Sequence, residues 1–175
     1  GFCFFNSVAI AAATALESDD IERVAILDID VHHCNGTVDI FKDRPEVLVC
    51  SSFQDNFYPL RYLTFENDHV LNTPLSSGSD GSEFRRGIDA RWWQRIQSFQ
   101  PDLILLSAGF DAHLEDDIAG LRLGDDDFAW FVRELRAVAA TLTGGRLVSV
   151  LEGGYSEDVL ARVVPDHAAA LTGAP

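Results

Sequence analysis

Apolar positions along this chain fall into two alternating rhythms. Residues 4–17 carry Phe4, Phe5, Val8, Ile10, Ala11 and Leu16 at helical spacing within a long alanine run, which predicts a helix. Residues 23–29 are a continuous apolar strand, 37–42 a short helix, and Val47-Leu48-Val49-Cys50 a second buried strand. Periodicity then fades over 53–82. Ser77-Gly78 and Asp80-Gly81 are turn signals there, and the segment reads as a long functional loop. Helical spacing returns over 83–99, with Phe84, Ile88, Trp92 and Ile96 near one face. Leu103-Ile104-Leu105-Leu106 is a third strand. Residues 125–142 are an amphipathic helix whose three leading aspartates suit an amino terminus. Leu147-Val148-Ser149-Val150-Leu151 is a fourth strand, and 157–171 a last helix, expected to break near Pro165.

Strands that are apolar on both faces and joined by helices imply a mainly parallel sheet covered on both sides, a three-layer αβα domain. In such sheets ligands bind beyond the carboxyl ends of the strands. That rule singles out residues 28–35, Ser51 onward, 109–113 and 153–155.

The first of these places is the richest. Asp28-Ile29-Asp30-Val31-His32-His33 follows an apolar strand, so two carboxylates and two imidazoles sit where burial is costly unless they are paired or hold a metal. Residues two apart in an extended segment share a side, so Asp28, Asp30 and His32 converge while Ile29 and Val31 face away. Asp30 and His32 supply two ligands of the oxygen and nitrogen type that zinc accepts. Asp111, just past another strand, is the natural third. Tyr155 follows Glu152-Gly153-Gly154, and a phenol brought close by paired glycines could donate to a developing oxyanion.

Composition narrows the partners. A formal charge of −15 over 175 residues argues against nucleic acid, whose phosphates need clustered Lys and Arg. It suits a cation or a basic substrate, or serves solubility alone. No apolar run approaches the roughly 20 residues of a membrane span, and no signal peptide is evident. Cys3, Cys34 and Cys50 show no paired spacing, which points to a reducing, cytoplasmic setting. Methionine is absent, even at position 1, so the chain reads as an internal piece of a longer protein.

Five segments together resemble the histone deacetylase family, in the variants of its class II and bacterial members. They are Gly1-Phe2-Cys3-Phe4-Phe5-Asn6, Leu27-Asp28-Ile29-Asp30-Val31-His32-His33, Phe57-Tyr58-Pro59, Ala108-Gly109-Phe110-Asp111-Ala112-His113 and Leu151-Glu152-Gly153-Gly154-Tyr155. The resemblance implies an arginase/deacetylase-like α/β fold, incomplete at the amino terminus, with residues 1–175 the C-terminal portion of a single catalytic domain. It implies hydrolysis of N-acetyl-lysine or a related acylated amine. Asp30, His32 and Asp111 would bind zinc, or iron(II), and Tyr155 would stabilise the tetrahedral intermediate. Asp28 and Ser51 would hold a structural potassium ion, and Asp28 would also support a catalytic histidine. Gly1, Phe2, Tyr58, Ile118, Gly153 and Gly154 would line the tunnel for the acyl-lysine stem. Phe41, Arg44 and Val47 fall where the family offers carbonyls to a second cation.

The chain also departs from that pattern. The family's adjacent general-base and general-acid histidines precede the motif at Gly1, so this segment alone is expected to be nearly inactive. Cys34 replaces a usual glycine, with strain expected if that backbone needs a positive φ. Leu60-Arg61-Tyr62 stands where Gly-Thr-Gly is usual. His33 and His113 read as structural, His69 and His167 as surface residues, Trp92 and Trp93 as packing, and Asp125-Asp126-Asp127 as a helix start rather than a calcium loop. Two other readings stay open: a relative that binds metal or acyl-lysine without turnover, and an arginase-like manganese hydrolase, which Cys34 disfavours because that pattern wants Asp there.

Overall fold

A computed structural model describes residues 3–173 of the chain. Its centre is a five-stranded sheet with every pairing parallel, in the order β3-β2-β1-β4-β5. The strands are β1 (Val24–Asp28), β2 (Val47–Gln54), β3 (Val70–Leu75), β4 (Leu103–Ala108) and β5 (Leu147–Leu151). Alternate residues feed two cores. Ala25, Leu27, Leu48, Cys50, Ile104 and Leu106 meet α3 (Gly81–Arg91), α4 (Trp93–Phe99), α5 (Asp125–Leu142) and α6 (Glu157–Thr172) on one face. Val24, Ile26, Val47, Val49 and Leu105 meet α1 (Ser7–Ala15) and α2 (Asn35–Phe41) on the other. This is the expected three-layer α/β arrangement.

The larger core is aromatic. Phe84, Trp92 and Trp93 all pack on Phe131, and the buried Trp92 indole donates to Thr73 Oγ1 at 2.9 Å. Truncating Phe131, which is fully buried, would cost about 3–5 kcal/mol. α5 spans the expected residues, and the Asp127 carboxylate accepts the Gly124 N–H at 2.8 Å, satisfying a donor the helix leaves open.

Several elements differ from expectation. The segment 53–82 contains β3, whose Asn72-Thr73-Pro74 centre masked it. As the edge strand, β3 can carry a proline without losing a ladder bond to an outer neighbour. The helix over 83–99 is two helices meeting at Trp92. α1 is shorter than its apolar pattern, because Asn6 caps it and leaves Phe4 and Phe5 exposed outside. α6 runs through Pro165 without a break: the carbonyl that loses a donor belongs to solvent-exposed Ala161. β5 is only half-covered, with Val148 and Leu151 exposed, since it forms the other edge of the sheet.

Chain order explains where the chemistry gathers. The path leaves β1 towards β2 and β3, then returns across β1 to β4 and β5. The carboxyl ends of β1 and β4 therefore diverge at the point where the winding reverses, the usual ligand crevice of such sheets.

Candidate metal centre

Asp30 and His32 lie just past β1 and Asp111 just past β4, at that crevice. The turn after β1 is fixed by its own side chains: Asp28 Oδ1 accepts the Asp30 N–H at 3.0 Å, and Asp30 Oδ1 accepts the His32 N–H at 2.8 Å. Ile29 and Val31 turn into the larger core, as the alternation requires. The Val31 N–H is taken by Asp111 Oδ1 at 2.9 Å, which ties the two strand ends together.

One donor atom each from Asp30, His32 and Asp111 can be chosen so that all lie within 4.8 Å of one another. His32 Nδ1 is 2.9 Å from Asp30 Oδ1 and 3.2 Å from Asp111 Oδ2. The edge of a tetrahedral zinc shell is roughly 3.3 Å for ligands near 2 Å from the ion, so this spacing suits one. Asp111 Oδ2 is buried and has no hydrogen bond, although it lies within ion-pair reach of His32. A buried carboxylate oxygen in that condition wants a cation. Partial burial pulls the His32 ring down, but the facing carboxylates outweigh it and lift it to about 9. Burial would raise Asp30, yet His32 and the Gly153 N–H hold it below its ordinary value, while burial pushes Asp111 up. A proton on His32 here takes the part of a cation.

Glycine is required at the floor of this site. The Gly153 N–H donates to Asp30 Oδ2 at 2.9 Å, and a Cβ there would stand 2.1 Å from Asp111 Oδ2. Gly154 then takes φ +137°, which swings the chain into Tyr155. The Tyr155 phenol is half-exposed; burial and the carboxylates of Asp111, Asp30 and Asp116 push it up.

Asp28 and Ser51 are direct partners in the β1–β2 register, and both are buried. Burial, then Asp30 and Glu152, drive the Asp28 carboxyl well above its usual range. Tyr58 sets its ring edge-on to His32 at 6.1 Å, and Phe57 stacks on the same imidazole at 5.3 Å. Ile118 sits on the loop after β4, partly exposed. Phe41 ends α2, Arg44 lies in the turn that follows and Val47 begins β2; the Phe41 carbonyl already accepts the Arg44 N–H and faces His69 Nε2. Gly1 and Phe2 lie outside the described residues.

Two features expected at the surface are not there. His69 is buried, with Nε2 3.2 Å from the Phe41 carbonyl. His167 continues the Val159-Val163 stripe of α6 inward, where Nε2 meets Ser149 Oγ at 2.9 Å. That i, i+4, i+8 spacing was a legible signal. Cys34 has φ −74°, so its backbone is unstrained; the thiol is buried, and burial together with Asp28 pushes it well up. The glycine-like conformations occur instead at Leu60 (φ 56°) and Tyr62 (φ 64°), the two positions where the resemblance expects glycine. Sequence reasoning passed over Asp116, which is buried within the acidic run Glu115-Asp116-Asp117, and gave no role to Glu152, which accepts from Ser107 Oγ at 2.8 Å beside Asp30.

The histone deacetylase domain model matches residues 1–171. The chain belongs to the histone deacetylase family. It is 40% identical over 181 residues to a protein of Oryza sativa subsp. japonica named Histone deacetylase 10, chloroplastic, with all of this chain and 41% of that protein covered. It is 38% identical over 164 residues to the histone deacetylase-like amidohydrolase of Pseudomonas aeruginosa, with 90% of this chain and 43% of that protein covered. The chain thus spans less than half the length of these relatives. Among solved structures, the HDA15 HD domain superposes with a TM-score of 0.89 at 28% identity, over 99% of this chain and 51% of that one. The three-layer sheet is accordingly the arginase/deacetylase fold of this deacetylase family.

Proposed function

We propose that the chain is the C-terminal portion of a single deacetylase catalytic domain, and that the whole protein is a zinc-dependent amidohydrolase removing acetyl or other acyl groups from N-acyl-lysine or a related acylated amine. The observation that carries this reading is the convergence of Asp30, His32 and Asp111 around the unbonded Asp111 Oδ2. Those residues would hold the metal, zinc or iron(II), both of which accept a nitrogen and oxygen set. When bound, the ion supplies Lewis-acid polarisation of the scissile carbonyl and a bound water of lowered pKa.

The chain's own residues do the rest. Asp30 is locked by the N–H groups of His32 and Gly153, and Asp111 by that of Val31, so the ligand oxygens need no rearrangement. Tyr155 donates a hydrogen bond from its phenol O–H to the acyl oxygen as charge develops there, a contribution of the kind worth about 10²–10³-fold in kcat. Tyr58, Ile118, Gly153 and Gly154 border the path for the acyl-lysine stem, with Gly1 and Phe2 as further wall residues. Asp28, with Ser51, takes a potassium ion that would relieve its buried charge.

Proton transfer falls to a group beyond these residues. His33 Nε2 faces Asn72 Oδ1, His113 is clamped between Asp125 and the Glu115 N–H, His69 Nε2 faces the Phe41 carbonyl and His167 Nε2 the Ser149 hydroxyl. The segment alone is therefore expected to be nearly inactive. Its three free cysteines fit a reducing, cytoplasmic setting, and no helix among the described residues is long and apolar enough to cross a membrane.

The test is metal stoichiometry. The purified chain should take up one zinc, and Asp111→Ala should abolish it; stoichiometric zinc in the variant would overturn the ligand set. In the longer protein, Tyr155→Phe should lower kcat with zinc content intact, and unchanged rates would remove the phenol from the chemistry.

A further inference from the structure

Asp116 is a carboxylate that the chemistry described so far leaves unused. It sits in the loop after β4 between two exposed acidic neighbours, Glu115 and Asp117, yet only 5% of its surface is accessible. Among the described residues, every donor that reaches its carboxylate is a backbone N–H. Oδ2 accepts from Tyr155 at 2.6 Å and from Ser156 at 3.1 Å, and Oδ1 accepts from Ile118 at 3.0 Å. Ser156 caps α6, so the carboxylate also lies at the positive end of a 16-residue helix. Burying a charge this way is costly unless it is fully hydrogen-bonded, and three N–H groups with a helix end meet that need.

What those N–H groups belong to gives the residue its meaning. The chain reaches Tyr155 through two different regimes. Glu152 and Gly153 extend the sheet, with the Glu152 N–H on the Ala108 carbonyl and the Phe110 N–H on the Gly153 carbonyl. Gly154 at φ +137° then breaks that course. Beyond this pivot Asp116 takes hold of the next two amides. The same carboxylate fixes the amide of Ile118, a residue proposed to border the acyl path.

We infer that Asp116 is a positioning residue for Tyr155, setting where the phenol stands over the metal centre and tying it to the Ile118 wall. This rests on the reading of Tyr155 as the donor to the acyl oxygen. Aspartate is needed and asparagine does not replace it. Both oxygens accept, so an amide would turn its NH₂ against either Ile118 or the Tyr155–Ser156 pair.

The probe is acetohydroxamate, a small chelator whose carbonyl oxygen stands in for the acyl oxygen. It is titrated by calorimetry into the zinc-loaded full chain as wild type, Asp116→Asn, Tyr155→Phe and the double variant. All four should carry one zinc. Each single change should weaken acetohydroxamate about tenfold, the scale of one hydrogen bond, and the double variant should be no weaker than either. Additive losses, or full affinity in Asp116→Asn beside a weakened Tyr155→Phe, overturn the positioning role alone. Full affinity in Tyr155→Phe removes the phenol reading as well. Should Asp116→Asn fail to fold, wild-type hydrogen exchange decides. The Tyr155 and Ser156 amides should exchange at least about tenfold more slowly than open-loop amides, and open-loop rates would refute the contact.

Discussion

The ligand corner and the loop of residues 55–66 meet at His32, whose ring packs on Phe57 and Tyr58, yet the backbone of the first follows the sheet and that of the second takes left-handed turns. The corner extends the sheet, and its own carboxylates close the turn. Ile29 and Phe110 continue the sheet through Ser107 and Gly153, and the N–H groups of Asp30, Val31 and His32 are taken by Asp28, Asp111 and Asp30. The loop is built from side chains imposed on an unwilling backbone. Asn56, Leu60 and Tyr62 all take left-handed φ. Asn72 Nδ2 holds the carbonyls of Tyr62, Leu63 and Phe65, while the Tyr62 hydroxyl reaches Asp39 on α2. A corner anchored in the sheet tolerates no added atom. The loop already carries side chains at backbone angles that favour glycine.

The strongest way to break this contrast is to add one methyl group to the corner. Gly153→Ala would drive a Cβ to 2.1 Å from Asp111 Oδ2 and 2.5 Å from Asp30 Oδ2, on carboxylates held in place by the N–H groups of Val31 and Gly153. Zinc affinity should fall more than about 100-fold, since displacing the groups that orient ligands already costs 10–100-fold. Calorimetry in a competing chelator would measure it. Retained affinity would show the corner to be as compliant as the loop.

A second test varies pH and leaves the sequence alone. The metal-free site raises His32 from 6.5 to about 9, so the ring is charged at neutral pH and must lose its proton to accept a metal. Apparent zinc affinity should climb about tenfold per pH unit up to about 9 and then level off. The sign for the metal-free chain is opposite. A pKa raised on folding contributes stability that is complete below 6.5 and is lost as pH rises through about 9. Denaturant midpoints should therefore fall across that window without zinc. A flat zinc profile would mean that His32 is not a ligand.

The same division explains what was legible in the sequence. β1, β2 and β4 are apolar runs, and the pleat obliges Asp28, Asp30 and His32 to share a side, so their convergence could be read from spacing alone. Asp111 was legible because it ends another strand. β3 was not, because an edge strand can carry Asn72, Thr73 and Pro74 and so lacks a continuous apolar signature. His69 was hidden for a related reason: its neighbours Asn67 and Asp68 are polar, and its ring is buried by a distant segment, with Nε2 against the Phe41 carbonyl at the end of α2. Asp116 looked like one more acid in an acidic chain. Its burial follows from α6 and Gly154 closing over it, which no local pattern encodes. Pro165 misled in the other direction, since a proline facing water removes one exposed bond and leaves the inner face of α6 intact.

The smallest expected effect is at the loop. Leu60 is 69% exposed, so it gives up little packing on removal, while its φ of 56° disfavours any residue with a Cβ. That conformation costs a non-glycine residue roughly 1–2 kcal/mol. Glycine adds back about 0.5–1 kcal/mol through the greater freedom of the unfolded chain. Leu60→Gly should therefore stabilise the chain by about 0.5–1 kcal/mol in urea unfolding and leave zinc affinity unchanged. Tyr62 shares the backbone problem but not the remedy, because its hydroxyl, its carbonyl and its ring against Phe65 are what hold the loop to α2 and β3. If Leu60→Gly destabilised the chain or loosened zinc, the loop would be bearing on the corner through Tyr58 and His32, and the two regions would be one mechanical unit.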